Sequence, residues 1–345
     1  MAKVEDFTNL LNKLSKYTEN KWLKKSLKTL AKLVKKNQID VLEGKILSST
    51  LRDLEQGFNV FANYRDVRKV TIFGSARAKI DSEEYQLALE LAQKLTALGF
   101  MVLTGAGGGI MAAGNQGAGK DNSFGLNIKL PFEQTANEYI TNDPKLISFR
   151  YFFTRKLFFL KESDAIVLFP GGFGTQDEAF ETMTLCQTGR QPLIPLVLID
   201  KPNGNYWQNW HTYLQENVLA RGYINPEDLE IYTITDNPQS ACQIITDFYR
   251  VYHSSRYVKE QFIIRLNYEL NDEQIEQLNQ EFSQILLQGK IEKIKPLPKE
   301  KGEYNNLPRI AFYFDQRKFT TLYRMIKMIN NFSTTTSPYH QPQQR

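Results

Sequence analysis

The stretch PGGFGTQDEAFETMT, which begins at Pro170, has the residue types of an anion-binding turn. Gly171, Gly172 and Gly174 let the backbone approach a ligand closely, because they carry no Cβ. Thr175 can donate its hydroxyl or cap the helix that follows. Unsatisfied backbone N–H groups and the helix dipole attract anions to such a helix start. The stretch therefore predicts a phosphate cradle.

Carboxylates follow this turn at once. Asp177 is ordinary helix-start chemistry, since the dipole stabilises acidic groups in a first turn and lowers their pKa. Glu178 and Glu181 lie three positions apart on one helical face, which first-turn chemistry explains less well. Upstream, Arg155 and Lys156 interrupt the aromatic segment FRYFFTRKLFFLKESD and need an acidic partner, either a phosphate or Glu178. Most of the aromatic side chains in that segment are expected in the core.

Two more turns fit the same plan, namely GSAR after KVTIF and TGAGGGIM after MVL. TGAGGGIM lacks both the spacing of the dinucleotide fingerprint and the lysine of a P-loop. Its glycines are explained either by an anion site or by close packing of strand and helix. Because ligands of parallel sheets sit beyond the carboxyl ends of the strands, all three turns are expected to line one crevice.

The positioning elements are strands that alternate with helices, which predicts an α/β fold with a doubly wound parallel sheet. Five strands are predicted, in the segments KVTIF, MVLT, SFGLNIKL, DAIVLF and PLIPLVLID. Residues 1–66 are predicted as an N-terminal helical segment, 67–250 as the Rossmann-like nucleotide-binding domain and 251–332 as a small α+β unit of order βαββα. The tail 333–345, rich in Thr, Pro and Gln, is expected to be disordered.

Composition narrows the classes of function. Hydrophobic residues at 41% and charged residues at 23% are ordinary for globular proteins. Two cysteines without CxxC spacing and three separated histidines argue against a disulfide framework and a metal site, so no metal and no cofactor is expected. No apolar run is long enough to cross a bilayer, and the N-terminus lacks the features of a signal peptide, so we expect a cytoplasmic protein without a membrane partner.

The formal charge of +5 is distributed unevenly. Residues 1–36 hold ten lysines against three acidic residues. A solvated helical face is the commoner cause of such a run. Binding of nucleic acid or of an anionic membrane surface stays open as an alternative, with nucleic acid the less expected partner.

Taken together, FTRK and PGGFGTQDE closely resemble the signature of the LONELY GUY (LOG) family, whose members are often labelled lysine decarboxylases. The pattern PGGxGTxxE is matched at every defined position from Pro170 to Glu178. The segments FGSAR, TGAGGGIM, LPFEQ and LCQTGRQPLIPLVL resemble the longer bacterial branch of that family. The resemblance covers about residues 66–250 and leaves the flanking segments unexplained.

The resemblance implies a phosphoribohydrolase, which splits the N-glycosidic bond of a nucleoside 5′-monophosphate into free base and ribose 5-phosphate. AMP or a cytokinin riboside monophosphate is the implied substrate, and a homodimer is the implied assembly. Arg155 and Glu178 take the catalytic positions. The implied substrate-binding residues are Ser75, Gly105, Gly107, Gly108, Met111, Glu133, Lys156, Gly171, Gly172, Phe173, Gly174, Thr175, Glu181 and Thr184.

A growing positive charge on the sugar would be stabilised by a carboxylate such as Glu178, and Arg155 could keep that carboxylate ionised. The competing interpretation is a nucleotide sensor or carrier that keeps the cradle without turnover. The presence of both Arg155 and Glu178 favours the enzyme.

Overall fold

The structure is a computed structural model that describes residues 13–36, 38–129, 135–300 and 304–332, together with residues 9 and 302. The predicted disordered tail 333–345 therefore lies outside the described residues. The chain divides into two compact units between Glu55 and Gln56. The domain boundaries expected near residues 66 and 250 remain predictions.

The first unit is helical, as the sequence predicts. Helix α1 spans Lys21–Lys36, and helix α2 spans Val41–Phe61 and runs past the division between the units. Both starts are capped by side chains: Asn20 Oδ1 accepts from the N–H of Trp22 (2.9 Å), and Asp40 Oδ1 accepts from the N–H of Glu43 (2.7 Å). The Glu43 carboxylate accepts in turn from the N–H of Asp40, which completes a reciprocal cap.

Within the described residues of the second unit, seven parallel strands form one sheet in the order β4-β3-β2-β1-β5-β6-β7. The strands are β1 (Lys69–Phe73), β2 (Met101–Thr104), β3 (Ser123–Ile128), β4 (Leu146–Phe149), β5 (Ala165–Leu168), β6 (Leu196–Ile199) and β7 (Tyr232–Thr235). The helices between and after them are α3 (Glu83–Ala97), α4 (Ile110–Ala118), α5 (Phe152–Glu162), α6 (Phe173–Gln187), α7 (Tyr206–Tyr213) and α8 (Pro238–Phe248). The α/β, doubly wound fold predicted from the sequence is confirmed.

The order in which successive strands are added to the sheet reverses at β1, the central strand. Strands β2 to β4 extend from one side of β1, whereas β5 to β7 extend from the other side, and β5 pairs with β1. A crevice forms at such a switch point, because the turns that leave the two central strands lead to opposite faces of the sheet. Ser75 follows β1 and donates its N–H to the carbonyl of Pro170, which follows β5 (3.0 Å).

Buried apolar side chains cover both faces of the sheet. On one face, α3, α4 and α8 pack on the central strands through residues such as Leu91, Ile110 and Ile245. On the other face, Phe158 and Phe159 of α5 contact Phe149 and Phe73 respectively. Part of the aromatic helix departs from the expected burial, because Phe152 and Phe153 stay half exposed.

The two edge strands β4 and β7 were absent from the sequence-based prediction of five strands. Each is four residues long and carries partly exposed side chains. Sequence patterns of this length do not separate a strand from a loop. β4 is a strand because it pairs with β3, and β7 because it pairs with β6. This pairing depends on neighbouring strands and cannot be seen in the sequences of β4 and β7 themselves.

A second, antiparallel sheet follows. Among the described residues its strands are β8 (Tyr252–Val258), β9 (Gln261–Leu266), β10 (Leu286–Lys293) and β11 (Arg309–Phe314), in the order β10-β11-β9-β8. Helix α9 (Asp272–Phe282) lies between β9 and β10 in the chain, and helix α10 (Thr321–Asn331) follows β11. The predicted order βαββα holds from β9 onward. The structure adds β8, whose polar sequence YHSSRYV gives no clear alternation of apolar residues.

Candidate active site

A cavity of about 820 Å³ opens at the switch point of the parallel sheet. It lies beyond the carboxyl ends of the central strands, where the sequence predicts a ligand. Its volume falls within the range typical of small-molecule sites, roughly 300–1,000 Å³. All three glycine turns contribute to its wall, as expected. The lining residues are Phe73–Arg77, Gly105, Gly107, Met111, Asn127, Ile128, Phe152, Arg155, Gly171–Gln176 and Glu178.

The turn PGGFGT forms the start of α6, with Gly172 as its N-cap residue. Gly171 is required by close packing, because a Cβ there would collide with the Thr175 hydroxyl and approach the Ser75 nitrogen to 3.0 Å. Gly172 and Gly174 have open space at the Cβ position, so a ligand can approach their backbone closely. The first N–H groups of α6 have no intrahelical acceptor and can bind a phosphate.

A polar network from α7 holds this cradle. The Tyr206 hydroxyl donates to the carbonyl of Gly171 (2.5 Å) and accepts from the Gln176 amide (2.6 Å). Trp210 Nε1 donates to the other end of the Gln176 amide (2.9 Å). The Gly171–Gly172 peptide is thereby held in one orientation by side chains that lie more than thirty residues further along the chain.

The turn TGAGGGIM serves both purposes that the sequence left open. Gly105 and Gly107 line the cavity, whereas Gly108 and Gly109 provide close packing against the turn after β1. Gly109 has a φ of +60°, and a Cβ there would collide with the Ser75 carbonyl. Ala106 also has a positive φ of 61°, a conformation that side chains rarely adopt.

Hydrogen bonds hold Ala106 in this conformation. Its N–H donates to the Thr104 hydroxyl (3.0 Å), and its carbonyl accepts from the N–H of Asn137 (2.8 Å). The buried Asn115 accepts from both the Thr104 hydroxyl (2.7 Å) and the Asn137 amide (3.0 Å). The strained turn is thus supported by three side chains behind the cavity wall.

Glu178 lies in the first turns of α6 with 5% of its surface exposed. Burial raises the pKa of its carboxyl to about 7, although Lys156 and Arg155 act in the opposite direction. The sequence-based expectation of an ionised group held by the helix dipole and Arg155 is therefore only partly right. Near neutral pH, the protonated and ionised forms of Glu178 coexist.

Arg155 lies on the wall of the same cavity and reaches towards Gly105. Its guanidinium carbon lies 5.3 Å and 5.6 Å from the ring centroids of Phe152 and Phe159. Burial lowers the pKa of Arg155, and the charges of Glu178 and Asp177 oppose this effect. Among the described residues, its buried Nε has no hydrogen-bond acceptor. A buried donor without an acceptor is costly, so the site is prepared for an anionic or carbonyl-bearing ligand.

Lys156 is placed differently from the implied phosphate contact. Its ammonium group pairs with Asp177 (2.8 Å) and with Glu181. Although burial lowers the pKa of Lys156, the hydrogen bonds that its ammonium group donates to these two carboxylates raise that pKa above its ordinary value. Neither Lys156 nor Glu181 lies on the cavity wall. Asp177, interpreted from the sequence as helix-start chemistry alone, also links α6 to α5.

The remaining predicted site residues divide into three groups. Ser75, Gly105, Gly107, Met111, Phe173 and Thr175 line the cavity together with the glycines of the PGGFGT turn. Thr184 lies on an exposed part of α6, where its hydroxyl donates to the Phe180 carbonyl (2.7 Å), and it is not on the cavity wall. Glu133 lies outside the described residues.

Five polar or aromatic wall residues were not singled out from the sequence: Phe73, Arg77, Asn127, Phe152 and Gln176. Arg77 follows β1, and Asn127 lies near the end of β3. Because ligands of parallel sheets bind beyond the carboxyl ends of the strands, these positions could have identified both residues from the sequence. The Oδ1 atom of Asn127 accepts from the N–H of Ile128 (2.8 Å), which leaves its amide nitrogen as a potential donor towards the cavity.

Comparison with known proteins agrees with this architecture. Residues 109–245 match the family model described as "Possible lysine decarboxylase", the label often given to LONELY GUY proteins. This match covers less than half of the chain and shows a similarity to that family. The matched region contains the turn PGGFGT, Arg155 and Glu178.

Two proteins similar to this chain carry names that describe an activity. The cytokinin riboside 5′-monophosphate phosphoribohydrolase of Mycobacterium tuberculosis is 27% identical over 173 residues, which cover 48% of this chain and 87% of the relative. A probable cytokinin riboside 5′-monophosphate phosphoribohydrolase of Oryza sativa subsp. japonica is 24% identical over 217 residues, covering 59% and 84%.

Among solved structures, the molybdenum cofactor binding protein of Rippkaea orientalis is 17% identical, with a TM-score of 0.37. The alignment covers 52% of this chain and 95% of that protein.

Proposed function

We propose that this protein is a LONELY GUY enzyme and hydrolyses the N-glycosidic bond of a purine nucleoside 5′-monophosphate to free base and ribose 5-phosphate. The observation that carries the proposal is the placement of Glu178 and Arg155 in one cavity with the glycine cradle of α6. The cradle supplies donors for the 5′-phosphate, and the cavity volume of about 820 Å³ is ample for a nucleotide.

Glu178 would act in two stages. As a carboxylate, it stabilises the positive charge that grows on the ribose while the C1′–N bond breaks and its electron pair leaves with the base. It accepts a proton from the water whose oxygen attacks C1′, and that proton then passes to the departing base. A carboxyl with a pKa of about 7 suits both stages, because proton transfer in either direction is nearly balanced near neutral pH.

Arg155 would bind the substrate through its unsatisfied Nε–H and keep part of Glu178 ionised. Lys156 is assigned a positioning role in place of a direct phosphate contact, since it holds Asp177 and Glu181.

The base is proposed to be adenine or an N6-modified adenine of the cytokinin type. The support is the activity for which the two relatives are named, both at less than 30% identity. Met111 and Phe152 give the cavity apolar surface against which a purine ring can pack, and Asn127 offers an amide donor.

The test is a panel of nucleoside 5′-monophosphates incubated with the full chain, with free base and ribose 5-phosphate measured by chromatography. Release of adenine from AMP or from a cytokinin riboside monophosphate is expected. Glu178→Gln should lower the rate by about 10²–10³-fold, the usual cost of one lost electrostatic group. Glu181→Gln, three residues along the same helix and outside the cavity wall, should lose far less.

Tight nucleotide binding that raises the melting temperature without base release would contradict hydrolysis and support the sensor interpretation instead. Binding is therefore measured in parallel for the native chain and for Glu178→Gln.

The homodimer is likewise a proposal. It is supported by large apolar side chains that α5 and α6 expose, since Phe153 is 54% exposed and Phe173, on the cavity wall, is 96% exposed. Exposed apolar side chains of this size mark a candidate interaction surface. Light scattering after gel filtration should show a dimer for the native chain and a monomer for Phe153→Asp, and a monomeric native chain would exclude this assembly.

A further inference from the structure

Helix α1, with the sequence KWLKKSLKTLAKLVKK, separates its charged and apolar residues completely. On a helix of 3.6 residues per turn, its seven lysines fall within an arc of about 120°. The apolar residues occupy about half of the circumference, with Trp22 at one boundary of that half. The helix contains no acidic residue.

The apolar half is substantially uncovered. Trp22 is 62% exposed, Leu23 52% and Val34 61%. The first turn of α2 also exposes large apolar side chains, at Val41 and Leu42. Ala31 is buried, so the middle of α1 is better covered than its two ends. Exposed apolar surface of this extent marks an interaction surface.

We propose that α1 binds in the plane of a bilayer surface that contains anionic lipids, with its apolar half among the acyl chains and its lysines at the headgroups. In α1 the charged and apolar residues lie on opposite sides, the ionised residues are all lysines, and a tryptophan stands at the boundary between the two sides. These three features are typical of helices that bind in the plane of a membrane surface. The lysines attract the anionic headgroups, and the exposed side chains of Trp22, Leu23 and Val34 insert among the acyl chains.

The protein would be bound on the membrane without crossing it. Among the described residues, no helix is long and apolar enough to span a bilayer. The sequence-based expectation of no membrane partner rested on the lack of a spanning segment, and surface binding needs none.

Nucleic acid fits this helix less well. A helix that binds nucleic-acid phosphates uses only its basic side. The apolar side chains of Trp22, Leu23 and Val34 on the other side would stay exposed to water in such a complex. A second copy of the chain also fits less well, because pairing two apolar halves would bring lysine rows together without acidic residues to offset their repulsion.

The experiment is co-sedimentation of the full chain with vesicles of phosphatidylcholine alone or mixed with phosphatidylglycerol. Binding to the anionic vesicles, little binding to the neutral ones and weakening by salt are expected. The double variant Leu23→Ser/Val34→Ser keeps every charge and should bind at least about tenfold less, because insertion of two apolar side chains is lost.

Removing charge tests the other half of the helix. Lys28→Gln/Lys32→Gln should reduce binding by about tenfold. The matched control, Lys120→Gln/Lys299→Gln, removes the same charge from exposed positions in the second unit and should bind as the native chain does. Equal losses in both pairs would show a nonspecific effect of net charge and overturn the proposal.

Fluorescence locates the contact. Anionic vesicles should shift the emission of the native chain to shorter wavelength, and Trp22→Phe should abolish that shift, since the other two tryptophans lie in the second unit, Trp207 buried and Trp210 hydrogen-bonded to Gln176. Unchanged melting temperatures confirm that the exposed-site variants fold. Retention on duplex DNA with no vesicle binding would replace the proposal by the nucleic-acid alternative. A change from oligomer to monomer in Leu23→Ser/Val34→Ser without vesicle binding would replace it by self-association.

Discussion

Glu178 and its neighbour Asp177 illustrate how adjacent carboxyls in one helical turn acquire different environments. The Asp177 side chain is 61% exposed and pairs with Lys156, whereas Glu178 faces the cavity with 5% exposure. Two effects compete at Glu178, because burial favours the neutral acid while Lys156 and Arg155 favour the carboxylate. Burial is the larger effect, so its pKa lies near the pH at which a proton shuttle works best.

The rate should therefore depend on pH through this group. If the ionised form of Glu178 starts the reaction, kcat/KM rises about tenfold per pH unit below 7 and levels off above it. The profile is obtained by measuring base release from AMP between about pH 5 and 9, with buffer controls. A profile that stays flat through pH 7 would show that Glu178 does not titrate in the limiting step.

The same pKa affects stability. A carboxyl whose folded-state pKa is raised from 4.5 to about 7 stabilises the fold fully below pH 4.5 and loses this contribution as the pH rises through 7. Glu178→Gln removes that loss, so at alkaline pH the variant should be more stable than the native chain by up to roughly 3 kcal/mol. Urea unfolding at acidic and alkaline pH measures the difference, and a stabilisation that is equal at both pH values would contradict it.

At the scale of elements, the cradle depends on a helix that contributes nothing to the cavity wall. Helix α7 places Tyr206 against the Gly171 carbonyl, and Gln176 and Trp210 complete the connection. The Gly171–Gly172 peptide therefore has its orientation set before a ligand arrives. Preorganised donors of this kind cost no rearrangement when the phosphate binds.

Tyr206→Phe should weaken nucleotide binding without unfolding the protein. Loss of the hydroxyl leaves the Gly171 carbonyl and the Gln176 amide with one partner fewer, which costs about 1 kcal/mol, or roughly fivefold in KM. Steady-state kinetics with AMP measure the effect. Tyr213→Phe, an exposed tyrosine on the same helix, is the control and should leave KM unchanged. Equal KM values for both variants and the native chain would remove Tyr206 from the cradle.

At the scale of the second unit, buried polar contacts join the antiparallel sheet to the parallel one. Arg68 pairs with Asp164 (3.3 Å), donates to the His253 carbonyl (3.2 Å) and stacks on Tyr249 at 3.7 Å. Asn330 accepts from the N–H groups of Val251 and Tyr252. These side chains sit where the chain passes from one sheet to the other, so the two sheets are expected to unfold together.

Arg68→Met tests this connection. Removing one partner of a buried ion pair leaves the Asp164 charge less compensated and costs about 3–5 kcal/mol. Arg317→Met removes an exposed pair with Asp315 and should change the free energy of unfolding by less than about 1 kcal/mol. Both values come from urea unfolding followed by circular dichroism. Similar costs for the two variants would show that the buried pair has no special part in joining the sheets.

The sequence by itself determined the parallel sheet, the three glycine turns and the membership of Arg155 and Glu178 in one site. The sheet and the turns follow from local patterns, namely strands with consecutive apolar residues and glycines at strand ends, whereas the pairing of Arg155 with Glu178, 23 positions apart, was implied by the resemblance to a family signature. The edge strands β4 and β7 and the polar strand β8 were not predictable in this way, because neighbouring strands define them.

Only the tertiary structure decided how the site residues behave. The pKa of Glu178 depends on burial, which arises from packing of segments far apart in the chain. Lys156 is turned towards Asp177 and Glu181 by the meeting of α5 and α6, and Tyr206 reaches Gly171 across 35 positions of sequence. Residue types and spacing specify which groups can react, whereas protonation state and orientation are set by desolvation and by contacts that form only in the folded chain.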